Sequence, residues 1–200
     1  MKKRLLTFLI PTLFLILPVV PKAFAQSVED CMMCHADESL TKEDSTGKEI
    51  SLFVDQSVFE QSIHGMFDCT ACHLGVEAEY HEEPLEPASC GMCHAEADGL
   101  YQAGYHWQKK LEGHPDAPTC GDCHGYHNIR GVDDEKDQAY RGSQPKMCGK
   151  CHGLEKNVCG KSNKCPGPSG EYMESAHGKA LQEENLGVAV CTDCHRSHDL

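Results

Sequence analysis

The chain is short of what an ordinary globular core is built from. It has one Trp in 200 residues, 6% aromatics and a mean hydropathy of −0.48. A chain this polar buries too little apolar surface of its own to hold a usual core. After Val20 no segment is apolar enough to span a bilayer. Basic side chains are also scarce, 18 against 31 acidic ones, for a formal charge of −13. Such a field repels nucleic acid and anionic membrane surfaces and favours docking to a basic patch on a partner; its plainer consequence is solubility. The acidic run Glu77, Glu79, Glu82, Glu83 and Glu86 reads as a solvated face, and no pair of these carboxylates has a catalytic setting.

The one long apolar run is N-terminal. Lys2, Lys3 and Arg4 precede Leu5–Val20, and Ala23-Phe24-Ala25 follows as a small-x-small cleavage pattern. Residues 1–25 therefore read as a secretory signal peptide, cut after Ala25. An uncleaved anchor is the competing reading, but the run contains Pro11 and Pro18 and falls short of the roughly 20 apolar residues of a spanning helix. No Cys follows the run, which argues against a lipoprotein. Cleavage removes Lys2, Lys3, Arg4 and Lys22 and takes the formal charge from −13 to −17. The expected location is the periplasm or the cell exterior.

Cysteine and histidine, by contrast, are abundant, at 14 and 13 residues. Twelve of the cysteines form six Cys-x-x-Cys pairs, each followed at once by His. They are Cys31/Cys34/His35, Cys69/Cys72/His73, Cys90/Cys93/His94, Cys120/Cys123/His124, Cys148/Cys151/His152 and Cys191/Cys194/His195. Cys-x-x-Cys-His is the attachment signature of c-type haem. Cysteines three apart share one face of a helical turn, so both sulfurs reach the vinyl groups of one porphyrin. The adjacent His then lies under the iron as proximal ligand. Structural zinc sites do not require His after every pair, disulfides do not require paired spacing, and thioredoxin-like motifs do not come six to a small chain. Six haem c groups, each with its iron, are the expected cofactors.

The motifs belong to an internal repeat. Tyr101 aligns with Tyr172, and the same offset aligns His106 with His177, Cys120 with Cys191, Cys123 with Cys194, His124 with His195 and His127 with His198. A looser front copy has Phe59 in place of the tyrosines, then His64, Cys69, Cys72, His73 and a more distant His81. The mature chain thus divides into three dihaem modules, 26–87, 88–144 and 145–200, with linkers at Glu82–Pro87 and Asp133–Pro145. Each module supplies two further histidines: His64 and His81, His106 and His127, His177 and His198. These six match six sixth coordination positions, so every iron can be bis-histidine ligated, and only His114 is left over, as a substitute for His81. Met66 and Met173 are alternative ligands that the histidine count makes unnecessary. The order of distal pairing, including donation from another module or chain, stays open. Cys159 and Cys165, with no following His, are expected to form a disulfide in an oxidising compartment, with free thiols or other ligation as the alternatives.

The expected fold is mainly α with much irregular loop and little or no sheet, its interior filled by haem. Short helices are expected at each motif, before His64 and around Tyr172–Leu181.

With Ser62-Ile63-His64-Gly65, Ser175-Ala176-His177-Gly178 and Cys123–Ile129 (Cys-His-Gly-Tyr-His-Asn-Ile) added to the six motifs, the whole mature chain resembles the bis-histidine multihaem cytochromes c of bacterial respiratory chains. The resemblance implies closely packed haems and low potentials. It also implies electron relay between a membrane quinol or cytochrome b module and a periplasmic or outer-surface acceptor. One departure is Gly104-Tyr105-His106-Trp107, where the other copies have Ser-x-His-Gly. A saturated iron exchanges electrons and offers substrate no place, so the chain is expected to be no enzyme. Two alternatives remain. A nitrite or hydroxylamine reductase needs one open haem, and the Cys-x-x-Cys-Lys motif of related nitrite reductases is absent. A haem-lined filament could form by donation of histidine between chains.

Overall fold

The computed structural model describes residues 27–44, 47–76, 81, 85, 87–153 and 167–200. The signal sequence at 1–25 and the expected disulfide between Cys159 and Cys165 lie outside these residues. The elements in order are α1 (Val28–His35), β1 (Thr41–Glu43), β2 (Glu49–Ser51), α2 (Gln56–Glu60), α3 (Ala95–Ala103), α4 (Tyr105–Leu111), α5 (Cys120–His124), α6 (Gln144–His152), α7 (Pro168–Glu174), α8 (Ala176–Gln182) and α9 (Cys191–His195). Single 3₁₀ turns stand at Cys69–Ala71, Cys90–Met92 and Arg141–Ser143. The only sheet among the described residues is the antiparallel pair β1–β2, with Lys42 opposite Ile50. The fold is therefore helical and loop-rich, as expected.

Not every motif becomes an α-helix. Four do, but Cys69–Ala71 and Cys90–Met92 stay as 3₁₀ turns. An acid inside the motif accounts for part of the difference. The Asp122 carboxylate accepts the Thr119 N–H and hydroxyl at 2.7 Å each, and Asp193 accepts the Val190 N–H at 2.7 Å. Each ties the helix start to its third residue and sets negative charge at the N-terminus. Cys69-Thr70-Ala71-Cys72 and Cys90-Gly91-Met92-Cys93 carry no such acid, and their turns have no side-chain cap.

The repeat seen in the sequence is also a repeat in space. Helices α3 and α4 meet at Gly104 and α7 and α8 meet at Ser175, both extended, at φ −85°, ψ 169° and φ −72°, ψ 169°. So the helix expected over Tyr172–Leu181 is two helices, broken at Ser175, whose hydroxyl accepts the Gly178 N–H at 3.1 Å. In both copies the tyrosine hydroxyl ties the first helix to the loop before the next motif. Tyr101 donates to the Pro118 carbonyl at 2.6 Å and Tyr172 to the Ala189 carbonyl at 2.9 Å.

The polypeptide core is thin. Among the described residues only Leu181 and Val190 are buried apolar side chains, while Met66, Leu111, Met33 and Tyr126 stand more than 60% exposed. Gln144 is buried and joins helices, its side-chain oxygen accepting the Thr192 hydroxyl at 3.0 Å. This much outward-facing apolar surface on a small chain is the surface a large planar apolar group would cover.

Candidate functional site

The candidate histidines are gathered into facing pairs. His35 and His81 have ring centres 6.2 Å apart and planes 5° apart. His94 faces His64 at 5.9 Å, His73 faces His127 at 6.0 Å, His124 faces His198 at 6.1 Å and His152 faces His106 at 6.2 Å. Every pair joins a motif histidine to one of the additional histidines. Among the described residues His177 and His195 have no facing ring, and both are exposed. His114 is exposed as well, and its Nδ1 accepts the Asp116 N–H at 3.3 Å. It takes no part in a pair, so His81, not His114, stands opposite His35.

Local structure aims these rings. The Leu52 carbonyl lies 2.8 Å from His35 Nδ1. A carbonyl only accepts, so Nδ1 carries the proton and Nε2 keeps its lone pair for a ligand. His81 Nδ1 is buried with no hydrogen-bond partner. The Ile63 N–H donates to the Ile129 carbonyl at 2.9 Å, which joins the turn bearing His64 to the loop bearing His127. The Leu200 carbonyl accepts the N–H groups of Tyr105 and His106, so the segment that holds His198 also braces α4. Gly104 makes this approach possible, because a Cβ there would meet the Leu200 carbonyl. The altered motif around His106 thus still delivers its imidazole to a partner. Burial, with the facing or neighbouring histidine as a lesser cause, holds His73, His106 and His124 below the usual imidazole range. The Asp137 carboxylate opposes this shift at His124. Neutral imidazole is the form that ligates metal.

The motif cysteines make a second set of pairs. Cys31 meets Cys69, Cys90 meets Cys120 and Cys148 meets Cys191, thiol to thiol through hydrogen bonds. Burial, then the Cys31 thiol, pushes Cys69 up to about 11, and burial and Cys120 raise Cys90. The hydrogen bond from Cys148 lowers Cys191 to about 7. Cys90 also feels the charge of Cys72, and Cys123 that of Cys151. Each motif thus neighbours the next in sequence order. Cys34, Cys72, Cys90, Cys93 and Cys194 are exposed, and the other seven motif cysteines are half-buried.

The arrangement fits haem and does not fit a simple metal ion. Two metal–nitrogen bonds of about 2 Å, plus about 1 Å from each nitrogen to its ring centre, span about 6 Å, the separation found in all five pairs. Among the described residues no three His, Cys, Asp or Glu side chains cluster as a metal-ion site. Two facing ligands with no third suit a group that brings its own four equatorial nitrogens. A cleft lined by Cys93, His94, Ala97, Leu100 and His198 lies beside two of the paired histidines.

Sequence reasoning left the distal pairing open, and four of the five pairs join different copies of the repeat. It also missed the Leu52 carbonyl, Gln144 and Arg141, none of which belongs to a motif.

A family model described as Cytochrome c3 matches residues 63–153. That stretch contains four of the six motifs together with His64, His81, His106 and His127. No curated protein and no solved structure matches the chain.

Proposed function

Taking the chain as the multihaem c-type cytochrome that its Cytochrome c3 match indicates, we propose that it carries six haems and relays electrons between proteins without transforming a substrate. The five facing histidine pairs are the observation that carries this reading. When bound, haem supplies a reversible one-electron iron couple. The chain's own residues do the rest. The twelve motif cysteines would anchor the haems, and the motif histidines would each supply one ligand to an iron. His64, His81, His106, His127 and His198 would supply the second ligand, and an iron so held would offer substrate no open position. Histidine on both sides, in place of methionine, favours low potentials. The thiol pairs set neighbouring motifs side by side, which gives electrons a path in sequence order through the chain.

The location is the periplasm or the cell surface, reached by way of the signal sequence. The donor is a membrane quinol-oxidising or cytochrome b module. The acceptor is another redox protein, recognised through a basic patch that complements the acidic chain. Intact mass together with pyridine haemochrome absorbance tests the reading, with six haems per mature chain expected. Fewer than six, or a redox titration centred well above zero volts, would overturn it.

A further inference from the structure

The five pairs obey a rule. His64 of the front copy faces His94, in the first motif of the middle copy; His106 of the middle copy faces His152, in the first motif of the last. Donation from this position runs forward. His127 of the middle copy faces His73, in the second motif of the front copy; His198 of the last faces His124, in the second motif of the middle. Donation from that position runs backward. His177 and His195 are what the rule leaves over. His177 holds the forward-donor position of His64 and His106, and His195 holds the backward-receiving position of His73 and His124.

Neither has a ring partner among the described residues, and all 13 histidines of the chain are described. Nor is His177 turned toward its own second motif. Helices α7 and α8 repeat α3 and α4 down to the tyrosine tether and the extended joint, so His177 stands as His106 stands, facing away. Gly178 is buried against the Tyr172 carbonyl and the Met173 backbone, which fixes α8 in that direction. The residue after His195 adds a separate sign. Arg196 sits at φ +66°, where the middle copy has Gly125 at φ +86°. A non-glycine residue in that region is strained, and such strain collects at functional sites. Here it places an exposed guanidinium, ion-paired to Asp199 at 2.6 Å, beside His195.

We propose that two copies of this chain pack through their last modules about a twofold axis, His177 of each supplying the sixth ligand opposite His195 of the other. This rests on the six-haem reading. The count closes: each copy offers one donor and one receiving site, and none of the five internal pairs is disturbed. The interface is self-complementary, the commonest form of homo-oligomer. Ligation uses the lone pair of neutral imidazole and transfers no electron. The acidic charge of the chain, −13, opposes association, so salt strengthens the dimer.

The test uses the full haem-loaded protein, with light scattering on a sizing column and EPR across a dilution series at low and high salt. The expected result is a dimer with all iron low-spin at high concentration. Dilution to monomer then exposes one high-spin iron in six, which binds carbon monoxide once reduced. His177→Ala is expected to be monomeric throughout with one high-spin iron in six, and added imidazole to return it to low-spin without restoring the dimer. His114→Ala is expected to match the unaltered chain. Monomers with six low-spin irons, a high-spin iron that persists in the dimer, or assemblies larger than dimers would each overturn the proposal. Haem counted on the same samples separates this outcome from failure of the six-haem reading, which shows as fewer than six haems per chain.

Discussion

His73 and His127 face each other at 6.0 Å, although two complete haem motifs, at Cys90 and Cys120, lie between them in the chain. The front copy cannot complete its second site without a residue from the middle copy, so the chain folds as interlocked copies. His127→Ala is therefore expected to open an iron in the front copy and leave the middle copy's own irons low-spin. EPR would show one more high-spin centre than the unaltered chain. His127→Met is expected to keep that iron low-spin and raise one potential by on the order of 0.1 V or more, within the about 0.8 V that axial ligands span. An unchanged titration curve in His127→Met would mean that His127 is no ligand.

Residues 198–200 support two of the histidine pairs at once. His198 faces His124, while the Leu200 carbonyl holds the helix start that delivers His106 to His152. His198→Ala is expected to open one iron. Removal of residues 198–200 is expected to disturb two, so carbon monoxide uptake by the reduced protein should rise by about two equivalents per chain, against one for the point variant. Equal uptake by the two would show that the Leu200 contact does not position His106.

Gly65 has no space for a side chain. A Cβ there would meet the Phe59 and Glu60 carbonyls, which are backbone and cannot turn aside. In the middle copy Trp107 stands at the same place, where it packs edge-on against Tyr101 at 5.6 Å. Gly65→Ala is expected to cost about 1–3 kcal/mol, as overpacking does, and to push His64 away from His94. Thermal unfolding would register the first effect, and a fractional high-spin signal the second.

The six Cys-x-x-Cys-His motifs and the further histidines that pair with five of them were legible in the residues alone, because attachment needs a fixed local spacing and candidate ligands can be counted. The partners were not legible. His64 lies near Cys69 in sequence yet serves His94, since the rigid turn at Ser62–Gly65 points across a module boundary. Spacing within a copy carries no information about such crossings. The 3₁₀ turns at Cys69 and Cys90 were hidden too, because the motifs at Cys31 and Cys148 also lack an internal acid and are helical all the same. Arg141 had no signal, being one of two cations, with Lys136, in a linker.

That linker arginine straps the last motif down. Arg141 Nε donates to the Leu186 carbonyl at 2.8 Å and Nη2 to the Val188 carbonyl at 2.7 Å. Both Nη atoms meet Asp193, between Cys191 and Cys194, at 2.6 and 3.1 Å. The Arg141 hydrogen bonds, and then the Val190 N–H, hold the Asp193 carboxyl below its ordinary value of 3.8. Its folded value is the lower one, so the stabilisation is complete above the ordinary carboxylate range and is lost as pH falls through the lowered value. The difference in Tm between the unaltered chain and Asp193→Asn is therefore expected to hold steady above about pH 5 and to shrink as the solution is acidified. A difference that grows toward acid would refute the strap. Arg141→Lys is expected to lower Tm by a few degrees even at neutral pH. One ammonium cannot reach two carbonyls and both oxygens of a carboxylate in the fixed plane that a guanidinium provides.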